Sequence, residues 1–153
     1  MKLAGTIVSF VIAIFASVAI GVMGYQIDRD INSWLTRAEV SSDRDDMLQY
    51  MENVKSGMEQ WDMTSGYAAL IFKKPTNDMS LIYEAVTDHV ANLEALQEMD
   101  PNTPQYQTLI DRLQDSISVL EIPAVTYWGV HDGLGLWILA IVAWIFGFIL
   151  GLI

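Results

Sequence analysis

Trp137 to Ile153 read WILAIVAWIFGFILGLI, a stretch with no charge and no hydrogen-bonding side chain beyond its two indoles. It lies within residues 134–153, which contain no Asp, Glu, Lys, Arg or His. Residues 3–25, LAGTIVSFVIAIFASVAIGVMGY, form a second such segment. At about 1.5 Å per residue these make helices of roughly 30 and 34 Å, and the hydrocarbon layer of a bilayer is about 30 Å thick. Each is long enough to cross it. The rest of the 153-residue chain lies between them.

The first segment has a rival reading as a cleaved signal peptide, with Met1-Lys2 as its basic end and Ser17-Val18-Ala19 as a cleavage site. A signal's apolar run is usually about 7–15 residues, and this one is much longer, so a retained anchor is expected. All 19 acidic residues fall between Asp28 and Asp132, against seven of the 8 basic ones, which leaves the middle at net −12. Lys2 precedes the first span, while Asp28, Asp30, His131 and Asp132 flank the spans on the other side. The positive-inside rule then gives a cell-membrane protein with two spans. Both termini are placed in the cytoplasm and residues 26–133 outside it.

The charge excludes several functions. A net-acidic middle has no basic patch with which to release counterions from nucleic acid, and as a whole it is repelled by anionic headgroups. There is no cysteine, hence no disulfide, thiolate metal site or cysteine nucleophile.

Three stretches of the middle carry apolar residues alternating at four and three. They are Met47, Met51, Val54, Met58 and Trp61; Ile82, Val86, His89, Leu93 and Leu96; and Tyr106, Ile110, Leu113, Ile117 and Leu120. This is the stripe of helices packed at shallow angles. A weaker stripe, Ile27, Ile31, Trp34, Leu35 and Ala38, follows the first span. Ser41 or Ser42, then Asn77 or Asp78, then Thr103 before Pro104 supply helix starts. A chain that leaves the membrane and returns needs an even number of antiparallel elements. The expected order is a helix over 26–40 outward, 43–72 back, 78–98 outward and 105–121 back. The alternative, without a break near Ser41, is one helix of about 45 residues projecting roughly 65 Å.

The fold class is therefore all-α: two transmembrane helices, N- and C-terminal, flanking an extracytoplasmic antiparallel bundle of four helices. Residues 1–25 are the first span, 26–121 the acidic bundle, 122–133 an interfacial linker and 134–153 the second span. In architecture alone this layout resembles the ectodomain of bacterial chemoreceptors.

Candidate chemistry has to be weighed against packing. His89 sits on an apolar stripe, and a ligand or pH-switch role competes with a core histidine bonded to a hydroxyl or backbone group. Met47, Met51, Met58 and Met63 invite thioether copper ligation, yet three of them lie on the stripe, where methionine is adaptable filler. Asp43 to Asp46 read DRDD, which lacks the alternate-position ligands and glycine turn of a calcium loop and suits the first turn of a helix. No Ser/His/Asp set, phosphate loop or carboxylate pair is legible. The expectation is no enzyme, no cofactor and no metal.

Two sets of residues stand out as contact surfaces. In the first span Gly5, Ser9, Ala13, Ser17 and Gly21 recur every four residues, and Ala143, Gly147 and Gly151 do so in the second. Small residues let helix backbones approach closely in lipid, so these are the expected packing positions, toward each other or toward other subunits. Phe10, Ile12, Ile14, Phe15, Trp144, Phe146 and Phe148 are assigned to the opposite, bulky faces. In the linker, Tyr127, Trp128 and Trp137 suit the aromatic belt. With His131 and Asp132, among Gly129, Gly133 and Gly135, they form an interfacial or docking set.

Neither span holds an ionisable residue, so no ion or proton path is expected through this chain alone. With almost nothing expected on the cytoplasmic side, any effect must pass laterally to another molecule. The leading expectation is a non-catalytic accessory or scaffolding subunit of a larger membrane complex. Its partners would be other integral membrane subunits and the lipid bilayer, without nucleic acid, and self-association is left open. A ligand-sensing ectodomain that signals laterally is the second reading, and predicts a pocket near His89 or Trp61. A holin-like lesion former is the third.

Overall fold

The structure, a computed structural model, describes residues 2–152, with side chains for 3–151. Met1 and Ile153, the outermost residues of the two expected spans, lie outside the described residues, as does the side chain of Lys2. The described residues are 80% helical with no strand. Two helices are long and apolar enough to cross a membrane, one near each end of the chain.

The helices run as α1 (Lys2–Ile27), α2 (Ser33–Val40), α3 (Arg44–Gln60), α4 (Met79–Ala95), α5 (Pro104–Ser118), α6 (Ala124–His131) and α7 (Leu134–Leu152). A π-helical turn, Asp28–Asn32, joins α1 to α2 without a break, and single 3-10 turns occupy Pro75–Asn77 and Leu96–Glu98. The chain divides into two compact units, one of Met1–Gln26 with Trp128–Ile153 and one of Ile27–Tyr127.

In the second unit α2 packs on α3 and α5, and α4 packs on α3 and α5, so the four helices close a ring. The apolar stripes point into it. Met47, Met51, Val54 and Met58 of α3 are fully buried, as are Ile31, Ala38, Val86, Leu93 and Ile117. Burying a side chain of this size contributes about 1.5–3 kcal/mol, so the methionine cluster is a large share of what holds this unit together. Met63 lies off the stripe and is buried as well.

Helix starts follow the local chemistry. Thr103 caps α5, with Pro104 at its first position, and Asp78 caps α4 through the Ser80 amide. The start of α3 differs from the expected Ser41 or Ser42. Asp43 accepts from the Asp45 and Asp46 amides at 2.9 and 3.1 Å, putting a carboxylate on the positive end of the helix.

Two elements differ from the sequence reading. The returning helix expected over 43–72 stops at Gln60, where a Schellman turn closes it. The Asp62 amide donates to the Glu59 carbonyl at 3.2 Å and the Met63 amide to Met58 at 2.8 Å. Asp62 takes the left-handed conformation, φ 53°, and Met58 and Met63, which the second of these bonds joins, are both buried. The chain then runs as a loop to Met79. The linker expected over 122–133, with its three glycines, is instead helical from Ala124 to His131.

The π turn is where α3 comes closest. A Cβ on Gly57 would lie 2.2 Å from the Asp30 carbonyl oxygen, so only glycine admits this approach. The Trp61 indole donates to an Asp30 carboxylate oxygen beside it at 3.3 Å. A π turn re-aims the residues that follow it, and here Ile31 and Leu35 are buried in the ring.

Candidate functional site

The sequence groups the span residues by size, and the structure regroups them. α1 and α7 pair along much of the small-residue stripe. A Cβ on Gly5 would sit 3.4 Å from Leu150, one on Gly147 would sit 3.3 Å from the Phe10 ring, and one on Gly151 would sit 3.8 Å from Thr6. Ala13 and Ala143 are buried between the helices, and Ser9 is half-buried. The Ser17 hydroxyl donates to the Ala13 carbonyl at 2.8 Å and accepts from the Trp144 indole at 3.4 Å. Gly21 is exposed, with no atom within 4 Å of a Cβ placed there.

Phe10, assigned to the outer faces, belongs to the pairing instead, while Trp144 and Phe148 touch its ring and stay partly exposed, at 37 and 60%. Phe10 fills the notch left by Gly147, with Trp144 edge-on at 5.5 Å and Phe148 edge-on at 5.9 Å. The physical reason is knob into hole: where one helix lacks a side chain, the other supplies a large one. Ile12, Ile14, Phe15 and Phe146 remain exposed. On this outer face of α1, Val11, Ile14, Phe15 and Val18 surround a shallow apolar hollow of about 250 Å³.

The interfacial set does not converge on one surface. Tyr127 and Trp128 are buried. The Tyr127 hydroxyl is shared between the carbonyls of Asp62 and Ser65, at 3.2 and 2.9 Å. The Trp128 ring packs on Gly133, where a Cβ would come within 2.7 Å. Trp137, His131 and Asp132 are exposed. Tyr127 and Trp128, two members of that set, act as packing anchors.

His89 donates from Nδ1 to the Ala85 carbonyl and meets the Ser116 hydroxyl at Nε2, 2.8 Å away. A carbonyl can only accept, so Nδ1 carries the proton. The Ser116 hydroxyl sits between two acceptors, Nε2 and the Leu113 carbonyl at 2.9 Å.

The same Ser116 lines a cavity of about 380 Å³ between α4 and α5, with Asn92, Leu96, Met99, Arg112 and Leu113 among its walls. The second sequence reading places a pocket near His89 or Trp61, and this one adjoins His89 through Ser116, though none of its lining residues was singled out as a site residue. The signal was the third stripe, whose Leu113 is only half-buried where Ile110 and Ile117 on either side are covered. Among the described residues no three His, Asp or Glu side chains converge as metal ligands would.

Two carboxylate contacts alter titration. The Tyr83 hydroxyl donates to Glu59 at 2.6 Å, which raises the pKa of the phenol. Asp78 is held below the usual carboxylate range, chiefly by the Ser80 hydroxyl that donates to it at 2.6 Å. Comparison with known protein families, curated proteins and solved structures returned no match.

Proposed function

We propose that the chain is a non-catalytic accessory or scaffolding subunit of a membrane complex, spanning the bilayer with α1 and α7. In this reading both termini are cytoplasmic and the acidic four-helix unit, residues 27–127, lies outside. The observation that carries it is the outer face of α1. Its inner face is already occupied by α7, yet Val11, Ile14, Phe15 and Val18 ring a hollow of side-chain size on the other side. Fluid acyl chains have no need of a shaped surface, whereas a neighbouring helix gains dispersion energy by filling one. Residues 3–27 and 134–153 hold no Asp, Glu, Lys, Arg or His, which suits packing rather than transport.

Gentle detergent extraction of tagged full-length chain from its native membrane tests this. A second integral membrane protein should co-purify in fixed ratio, and Phe15→Ala should release it. A chain that runs alone, with and without the substitution, contradicts the proposal.

The cavity between α4 and α5 favours a second reading, a ligand-sensing outer unit that signals laterally. Its walls are mainly apolar with Arg112 at one side, suited to a small amphipathic anion. A screen of such compounds by thermal shift, with Leu113→Trp as the filled-cavity control, separates it from the first.

A further inference from the structure

Between α3 and α4 the chain forms a loop whose tip carries Leu70, Ile71 and Phe72, exposed to 60, 80 and 75%. Three consecutive large apolar side chains in solvent are unusual for a folded loop. This loop is folded. The Ala68 amide donates to the Asn77 carbonyl and the Met79 amide to the Gly66 carbonyl, each at 2.8 Å. Inside it the Asn77 side chain donates to the Phe72 carbonyl and accepts from the Lys74 amide, at 2.8 and 2.9 Å. Gly66, at φ 88°, makes the turn that starts it. The tip is therefore held out by its own backbone bonds.

Charge identifies what it faces. Met63 to Asn77 contains no acid, and its two charges are Lys73 and Lys74, directly after the apolar triplet. In a middle segment that carries every acid in the chain, this is the longest stretch free of them. Position agrees. The loop leaves α3 at Trp61, which bonds Asp30 close to where the chain enters this unit at Ile27. Its next residues, Asp62 and Ser65, accept from Tyr127, where the chain leaves it. The loop thus springs from the end of this unit at which the chain enters and leaves it, and α4 runs from the loop to the Asp100–Thr103 turn.

We infer that the Leu70–Lys74 tip is a third membrane contact, with its apolar triplet seated in the headgroup and acyl boundary of an anionic bilayer and its lysines on lipid phosphates. Such insertion reaches about 5–10 Å below the surface and combines apolar burial with cationic attraction. It counters the repulsion that the rest of the acidic unit experiences. The inference rests on α1 and α7 spanning the same bilayer.

The chain has no cysteine, so single cysteines can be placed and labelled with an environment-sensitive dye. Full-length Ile71→Cys, Gln97→Cys beyond the far end of α4 and Phe15→Cys on α1 are reconstituted in nanodiscs of phosphatidylcholine and phosphatidylglycerol. Spin-labelled lipid carrying its label near the headgroup should quench the Ile71 dye several-fold more than the Gln97 dye. Replacing both lysines by glutamate should reduce that difference. Equal quenching at 71 and 97, with the Phe15 dye still reached by deep acyl-chain labels, overturns the tip contact and leaves the spans standing. If the Phe15 dye is not reached either, both readings fall. An Ile71 dye that is shielded in native membranes but wet in nanodiscs also overturns it, in favour of a protein neighbour.

Discussion

Gly57→Ala probes the joint between the π turn and α3. The added Cβ would meet the Asp30 carbonyl oxygen at 2.2 Å and Ile31 Cγ1 at 2.9 Å, where ordinary contact begins near 3.4 Å. The backbones must part by roughly 1 Å to admit it. The obstacle is main chain, which cannot swing aside as a side-chain tip would. Against main chain the cost of overpacking lies at the upper end of its usual range, about 2–3 kcal/mol, while alanine regains about 1 kcal/mol of helix propensity over glycine. The net is a loss of about 1–2 kcal/mol, or roughly 5–10 °C in the Tm of a unit this size. Thermal unfolding of the full chain in detergent, followed by circular dichroism, measures it. Gly21→Ala serves as control, because no atom lies within 4 Å of its new Cβ, and it should melt at or slightly above the parent. A Gly57→Ala chain that melts as high as the parent would refute the close approach.

Replacing the buried Met47, Met51 and Met58 singly by leucine should cost less than about 1.5 kcal/mol each, and by alanine about 2–5 kcal/mol. Equal losses for both would argue for a role of the sulfur itself. Gly147→Leu should displace the Phe10 ring and weaken the α1–α7 pair by about 1–3 kcal/mol, read as loss of a disulfide between Thr6→Cys and Gly151→Cys, which face each other. Asp78 is held below its ordinary pKa, so its contribution to stability is complete above the unfolded value near 3.8 and fades as pH falls through the lower folded value. Melting temperature should therefore fall on acidification less steeply in Asp78→Ala than in the parent, and parallel curves would contradict that sign.

The two long apolar helices are legible because an uncharged apolar run of helix length is at home only in lipid or a deep core. Three of the four packed helices are legible because their stripes repeat at four and three. The helix expected over 43–72 overshoots α3 by twelve residues because its stop is Asp62 in a left-handed turn, a place where glycine or asparagine is the usual signal. The glycines of 129–135 suggest pliancy. In the structure Gly129 and Gly133 face indoles, and their missing side chains serve packing rather than flexibility. The assignment of Phe10 to the face opposite the small-residue stripe has a similar cause. A stripe of small residues on one helix does not reveal which large residue of the other will fill it. The α4–α5 cavity depends on how far two helices diverge, and residue types alone do not encode that.

The central claim is that α1 presents its outer face to another membrane protein. A photo-activatable amino acid at Phe15, in full-length chain expressed in its native membrane, tests it most directly. The account predicts one discrete adduct with a second integral membrane protein, lost when the probe is moved to buried Ala13. Adducts with lipid alone at Phe15 would contradict it.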